Sequence, residues 1–175
     1  MTLLASAEVD RGGLNQDQRL SFVRGVLAKV VAADCRRVLI LPPDHTRLNS
    51  GAGEITRIIY EAVAPDVRVD IMPALGTHVP MTVEERHRMF GAGIPDERFR
   101  VHDWRNNLTF CGEIPGATVS ELSEGKLDFP VRVELDAVCF EDYDLILSVG
   151  QIVPHEVAGM ANYTKNLCVG VGGPD

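Results

Sequence analysis

His155 and Lys165 lie ten positions apart near the end of the chain, after an apolar segment at residues 144–149 that runs into Gly150. A histidine titrates near neutral pH and can therefore accept and donate protons in a reaction. A lysine amine can anchor a phosphate, and it becomes a nucleophile when its pKa is lowered. In the simpler interpretation, His155 only caps a turn after a proline and Lys165 is a solvated helix residue. Taken alone, this stretch is compatible with both interpretations.

Two other loops carry side chains that could do related chemistry. Residues 44–47 follow an apolar run at residues 37–41, and residues 76–78 follow an alternating segment at residues 67–72. In a parallel sheet the carboxyl ends of the strands lie along one edge, where ligands usually bind. The sequence therefore predicts one pocket that is lined by Asp44, Arg47, His78, His155 and Lys165. Each loop by itself also has a simpler interpretation, such as a local ion pair between the aspartate and the arginine.

The remaining histidines and the missing motifs narrow the functional classes. For His45, His87 and His102, a role as surface or turn residues is an equally good interpretation. The sequence has no Gly-x-Gly-x-x-Gly, no Walker loop and no His-Glu-x-x-His helix. The common dinucleotide, nucleotide and zinc-hydrolase classes are therefore excluded.

The elements that must position these loops alternate between helical and strand patterns. Asn15 is the predicted N-cap of an amphipathic helix, a second helix covers about residues 53–63, and Thr82 with Glu85 predicts a capping box for a third. Apolar or alternating runs predict strands at residues 37–41, 67–72, 99–102, 131–135 and 144–149, the last of them central. Such units predict an α/β fold with a mostly parallel, Rossmann-like sheet and helices on both faces. The glycine-punctuated residues 106–125 predict a small antiparallel excursion.

Length, charge and composition exclude several other classes. The 175 residues are 45% hydrophobic and 24% charged, which predicts a single α/β domain over residues 1–175. The net charge of −8, without a basic run, argues against nucleic-acid binding. No segment resembles a membrane span or a signal peptide, so a cytoplasmic location without membrane partners is expected. The four cysteines are scattered, a pattern typical of reduced, buried thiols.

Three ordered motifs resemble a known family. Residues 41–47 read LPPDHTR, residues 74–82 read ALGTHVPMT, and residues 154–159 read PHEVAG, followed by Lys165 and Asn166. Together they are similar to the N-terminal domain of the nickel-dependent lactate racemase family, over roughly residues 38–173. Three motifs in order are much more specific than any one of them.

The resemblance implies a function and a cofactor. It implies racemisation of a 2-hydroxy acid by hydride transfer to and from a nickel-pincer nucleotide, held covalently through a thioamide on Lys165. His78 and His155 would take the hydroxyl proton from opposite sides of a planar keto intermediate, one for each enantiomer. Arg47 would hold the substrate carboxylate, and Asp44 would order the site or contact the cofactor. The implied partners are the 2-hydroxy acid and the cofactor-synthesis proteins.

The family pattern also implies parts that this chain lacks. A nickel-ligating histidine and a second, closing domain are expected beyond Asp175, so we expect no metal ligand within the chain. The chain is then the N-terminal part of a longer two-domain enzyme and is inactive alone. Residues 162–166 differ from the glycine-rich version of the lactate enzyme, so the acid itself stays open. Two alternatives remain: a non-catalytic binding domain for an anionic nucleotide or organic acid, and a cofactor-free lyase that uses Lys165 as a Schiff base.

Overall fold

The computed structural model describes residues 2–156 and 159–174, so Val157 and Ala158 of the third motif, and Asp175, lie outside the described residues. The strands are β1 Arg37–Leu41, β2 Arg68–Ile71, β3 Leu108–Ile114, β4 Val131–Asp136, β5 Leu145–Ser148, β6 Pro154–His155 and β7 Gly159–Met160. The α-helices are α1 Gln16–Val30, α2 Ala52–Val63, α3 Val83–Phe90, α4 Gly116–Leu122 and α5 Thr164–Cys168. Short 3₁₀ helices cover His45–Ser50, Asp96–Arg98 and Ala137–Phe140.

The main sheet is parallel and has the order β2-β1-β5. Val38 of β1 pairs with Val69 on one side and with Leu145 on the other. The prediction that residues 144–149 form the central strand is wrong, because β1 is central and β5 lies at an edge of this sheet. Both strands are apolar, but every residue from Val38 to Leu41 is fully buried, whereas Ile146 of β5 is 37% exposed.

Helical segments cover both faces of the sheet, as the sequence predicts. On one face, the side chains of Val38, Ile40, Val69 and Ile71 join a core cluster with residues of α1, α2 and α3. On the other face, Leu39, Leu41 and Met72 pack with Val138 of a 3₁₀ helix, with Val171 and with Leu167 of α5. The sheet is therefore buried on both faces, which explains why β1 is a continuous apolar run.

Two helix starts confirm the predicted N-cap at Asn15 and the predicted capping box at Thr82, and Asn15 forms a capping box as well. The Asn15 side chain accepts a hydrogen bond from the Gln18 amide, and the Gln18 side chain accepts one from the Asn15 amide, both at 2.9 Å. Thr82 and Glu85 form the same reciprocal pair at the start of α3. These boxes satisfy backbone amides that the first helical turn leaves without partners. None of the helices in the described part of the chain is long and apolar enough to cross a membrane.

Residues 106–125 contribute β3 to a small antiparallel pair, as predicted, but its partner is β4, which the sequence placed outside this excursion; the pair contains an irregularity between Phe110 and Gly112. Residues after α5 extend this pair, because the Asp136 amide donates to Val171 at 2.9 Å and the Gly173 amide donates to Glu134 at 3.0 Å. The last described residues of the chain therefore tie the small antiparallel unit to the main sheet.

Two sequence expectations are corrected here. Residues 99–102 do not form a strand, since only Phe99 makes a bridge to β2, at Ile71. The chain leaves the sheet there and buries His102, so the surface position that the sequence also allowed is not the one it takes. The four thiols are free, but only Cys35 is buried and Cys139 half-buried, while Cys111 and Cys168 are exposed.

The buried His102 is hydrogen-bonded to Asp136. Its Nδ1 lies 2.8 Å from the Asp136 carboxylate, and its Nε2 lies 3.1 Å from the Gly172 carbonyl oxygen. Both ring nitrogens therefore face hydrogen-bond acceptors, a carboxylate on one side and a carbonyl oxygen on the other. Three further donors reach the carboxylate: the amides of Asp103 and Val138 and the side chain of Asn107. Burial raises the pKa of Asp136, but these hydrogen bonds outweigh it, and the pKa lies below its ordinary value of 3.8.

We expect Asp136→Asn to lower the free energy of unfolding at pH 7 by about 1–3 kcal/mol, because the new amide nitrogen faces donors and leaves buried hydrogen-bonding groups unsatisfied. The exposed Asp128→Asn is the matched control and should change it by less than about 0.5 kcal/mol. Because the folded-state pKa of Asp136 is depressed, its contribution is present above 3.8 and is lost as pH falls through the folded value. The gap between wild type and Asp136→Asn, measured by chemical denaturation, should therefore shrink below pH 4; a gap that stays constant there would contradict an ionised Asp136.

Candidate active site

One cleft lies where the loops leave the carboxyl ends of β1, β2 and β5, with a volume of about 310 Å³. All five residues that the sequence predicts for the site line it: Asp44, Arg47, His78, His155 and Lys165. The predicted convergence of three loops on one pocket is therefore present in the structure. The ladder of parallel pairs puts these loops on the same edge of the sheet.

The loop after β1 presents a buried carboxylate. Asp44 is only 3% exposed and caps the 3₁₀ helix at residues 45–50, accepting hydrogen bonds from the amide and the hydroxyl of Thr46. Arg47 lies within this 3₁₀ helix and is exposed. The anticipated local ion pair between the two residues does not form, because the Asp44 carboxylate pairs with His78 instead.

The Asp44–His78 pair orients one imidazole. The Asp44 Oδ2 atom lies 2.6 Å from Nδ1 of His78, whose side chain is 57% exposed. Burial raises the pKa of Asp44, but the hydrogen bonds from Thr46 and His78 outweigh it and hold the pKa below its usual value. An ionised carboxylate can only accept, so Nδ1 donates and Nε2 of the neutral ring is left as a proton acceptor.

The loops after β1 and β2 are tied to the end of α5. Pro43 and Ala74 form a bridge between the first two loops. Gly76, with φ of +55°, donates from its amide to the Gly170 carbonyl oxygen at 2.8 Å. The left-handed conformation of Gly76 favours glycine and allows the turn that carries His78.

The third loop is a short hairpin and not the irregular loop that the sequence suggests. His155 lies in β6, which pairs with β7, and its side chain is 13% exposed. Its Nδ1 lies 3.8 Å from the exposed carboxylate of Glu156. A hydrogen bond from its own backbone amide lowers the pKa of Glu156, and the charges of His155, Arg47 and Lys165 lower it further. These three basic residues and Glu156 all line the cleft.

Lys165 lies on α5 and is half-buried at the cleft. The chain enters α5 through Asn162 and Tyr163, which both have positive φ, at +55° and +56°. Such backbone conformations are uncommon for residues other than glycine and cluster at functional sites. A Cβ atom on Gly150 would lie 2.5 Å from Oδ1 of Asn162, so a larger residue there would displace the Asn162 side chain.

The sequence model of the lactate racemase N-terminal domain matches residues 24–175. The chain belongs to this family. A crystal structure of a protein from Thermotoga maritima is 25% identical to it, with a TM-score of 0.82 over 91% of this chain and 39% of that one. The lactate racemase apoprotein from Thermoanaerobacterium thermosaccharolyticum shares the fold at 23% identity, with a TM-score of 0.64 over 89% of this chain and 37% of that one. The chain thus spans about two fifths of these solved proteins. No curated protein sequence matches it.

Two residues at the cleft of this lactate racemase N-terminal domain were not predicted from the sequence. Thr46 completes the surroundings of Asp44, and the spacing Asp-x-Thr is a signal for such a turn. Asn166 belongs to the third motif beside Lys165, but nothing in the sequence showed that its side chain is buried and hydrogen-bonded to the sheet. Among residues 2–156 and 159–174, no group of three or more histidine, cysteine or acidic side chains is arranged to hold a metal ion.

The Asp44–His78 geometry predicts the tautomer of the ring. At a pH where the ring is neutral, His78 should carry its proton on Nδ1, and Asp44→Asn should convert it to a mixture of both tautomers. The ¹⁵N shifts of selectively labelled histidines measure this directly. The exposed His87 on α3 lies outside the cleft and serves as the reference that Asp44→Asn should leave unchanged. Identical His78 shifts in the two proteins would show that Asp44 does not orient the ring.

Proposed function

We propose that this domain supplies the proton-transfer and cofactor-attachment residues of a 2-hydroxy acid racemase or epimerase that uses a nickel-pincer nucleotide. The observation that carries the proposal is the meeting of two histidines, an arginine and a lysine in one cleft of a lactate racemase N-terminal domain. The solved relatives are more than twice as long as this chain, so the proposal concerns a complete protein of that size.

The two histidines suit the substrate. The α C–H of a 2-hydroxy acid is too weakly acidic for an ordinary base, whereas its hydroxyl proton can pass to a neutral imidazole as the α-hydrogen leaves as hydride. His78 has its Nε2 available for this proton, because Nδ1 is bound to Asp44. His155, from a different loop of the same cleft, would serve the other enantiomer.

Arg47 is suited to the substrate carboxylate. Its guanidinium can bind a carboxylate through two parallel hydrogen bonds, which fixes the plane of the acid as well as its position. Asp44, the nearest acidic residue in sequence, is already engaged with His78. The guanidinium is therefore not neutralised by its own loop, and the acid can bind despite the net charge of −8.

The residues of the cleft fit the organic part of the cofactor. Lys165 offers an amine for the thioamide link, and it lines the same cleft as His78, His155 and Arg47. When bound, the nickel-pincer nucleotide supplies a hydride acceptor. The described residues form no metal-ligand cluster, so in this proposal they hold the nucleotide, and other parts of the protein complete the nickel coordination.

In the complete protein, made together with the cofactor-synthesis enzymes, His78→Ala and His155→Ala should each lower racemisation by about 10²–10⁴-fold. Cofactor loading should stay close to wild type, because neither ring is the attachment point. Rates in both directions and the mass of the peptide that contains Lys165 measure the two effects. His87→Ala, an exposed histidine outside the cleft, is the matched control and should keep wild-type rates. A near wild-type rate in either cleft variant would reject the two-base assignment.

Lys165 separates the racemase from its alternatives. The racemase requires a covalent mass on Lys165 that is lost, with activity, in both Lys165→Ala and Lys165→Arg, because arginine keeps the charge but lacks the amine. An electrostatic role would tolerate arginine in part. Lys126→Arg, at an exposed lysine, is the control. Borohydride trapping of Lys165 with a keto acid would instead indicate the Schiff-base lyase, and an active, loaded enzyme with unmodified Lys165 would disprove covalent attachment.

A further inference from the structure

We propose that Asn166 is the positioning residue for Lys165, because its side chain clamps α5 to the carboxyl ends of β1 and β5. The part of this inference that concerns cofactor attachment rests on the function proposed above. The clamp itself is independent of it and can be measured on the protein without a cofactor.

The helix that carries Lys165 is too short to hold its own conformation. It has five residues, and isolated helices shorter than about 12 residues are marginal in water. Its start lacks a side-chain cap, and the N-cap residue Tyr163 has a φ of +56°. The position of Lys165 must therefore be set by contacts between α5 and the rest of the domain.

Asn166 makes the contacts that can do this. It is 7% exposed, and its Nδ2 donates to the Leu41 carbonyl oxygen at 2.8 Å and to Oγ of Ser148 at 3.0 Å. Both amide hydrogens are therefore used, one at the end of the central strand and one at the end of its neighbour. The Leu41 oxygen also accepts from the Val149 amide at 3.1 Å, so the clamp lies where the two strands still pair.

The clamp reaches the other side of the cleft through the backbone. The Lys165 carbonyl accepts hydrogen bonds from Val169 and Gly170, which close the end of α5. The Gly170 carbonyl in turn accepts from Gly76 in the loop that carries His78. One buried amide therefore sets the position of the amine relative to the loop of one proposed base.

An isosteric change tests the clamp. Asn166→Asp keeps the shape but replaces the donor by an oxygen that faces the Leu41 carbonyl, where it can only repel. Asn166→Ala removes both hydrogen bonds without adding charge. Ser148→Ala removes one of the two and is the mildest variant. Asn49→Asp, at an exposed residue of the 3₁₀ helix, adds the same charge without touching the clamp.

The measurement uses the three lysines of the chain, Lys29, Lys126 and Lys165. Competitive acetylation with a limiting amount of acetic anhydride, read by mass spectrometry of each peptide, gives the reactivity of Lys165 relative to the other two. The folded wild type and the chain in guanidinium chloride mark the two ends of the scale. Lys165 is half-buried in the wild type. Loosening α5 should expose its amine and therefore raise its reactivity relative to Lys29 and Lys126.

In Ser148→Ala the ratio should rise by about twofold or more, the shift expected when one neutral hydrogen bond is lost. In Asn166→Asp and Asn166→Ala it should move further towards the denatured value, while the Lys29 to Lys126 ratio and the Asn49→Asp protein stay at wild type. If Asn166 only stabilises the fold, all three lysines will change together or not at all, and the positioning role is overturned. An unchanged ratio in Ser148→Ala overturns it as well, even if the Asn166 variants fail to fold.

In the complete protein made with the cofactor-synthesis enzymes, Asn166→Asp should lower the fraction of Lys165 that carries the covalent mass, and Asn49→Asp should not. Equal loading in Asn166→Asp and wild type would overturn the link between the clamp and attachment. If the wild type carries no mass at Lys165, the proposed function fails, whereas the acetylation ratios still decide whether Asn166 positions the lysine.

Discussion

The burial of β1 is the constraint on which the rest of this structure depends. Its residues from Val38 to Leu41 are fully buried and its backbone pairs with strands on both sides, so the chain reaches polar surroundings only beyond its carboxyl end. There the Leu41 carbonyl accepts from Val149 and from Asn166, and three residues later Asp44 begins the cleft. The strand that makes the core also fixes where the candidate site is.

Local charge in the cleft differs from the charge of the whole chain. The protein carries a net charge of −8, yet Arg47 and Lys165 meet in the cleft, while the buried carboxylate of Asp44 is engaged by His78 and Thr46. A second buried acid, Asp136, is engaged by His102 away from this loop. Both acids stay ionised because several donors surround each one, which outweighs the cost of burial. In the cleft, Asp44 therefore does not neutralise Arg47 or Lys165.

Local patterns determined much of the fold. The two capping boxes, the apolar run of β1 and the three loops with polar side chains depend on neighbours within a few residues, and all were predictable. The candidate residues were also predictable as a set, because parallel strands send their exit loops to one edge whatever the order of the strands. The family could be recognised from the same three motifs, because each motif is a continuous stretch of sequence.

Only the tertiary structure decided the contacts between distant segments. Apolar composition does not distinguish β1 from β5, because strand order depends on which backbone edges are paired. His102 and Asp136 are 34 positions apart, as are Asp44 and His78, so neither pair is visible as a local pattern. Asn166 and Leu41 are 125 positions apart, and the role of that amide depends on a carbonyl oxygen that every residue has. The sequence by itself thus determined which chemical groups are present and on which edge, whereas the packing of the chain decided which of them hold one another.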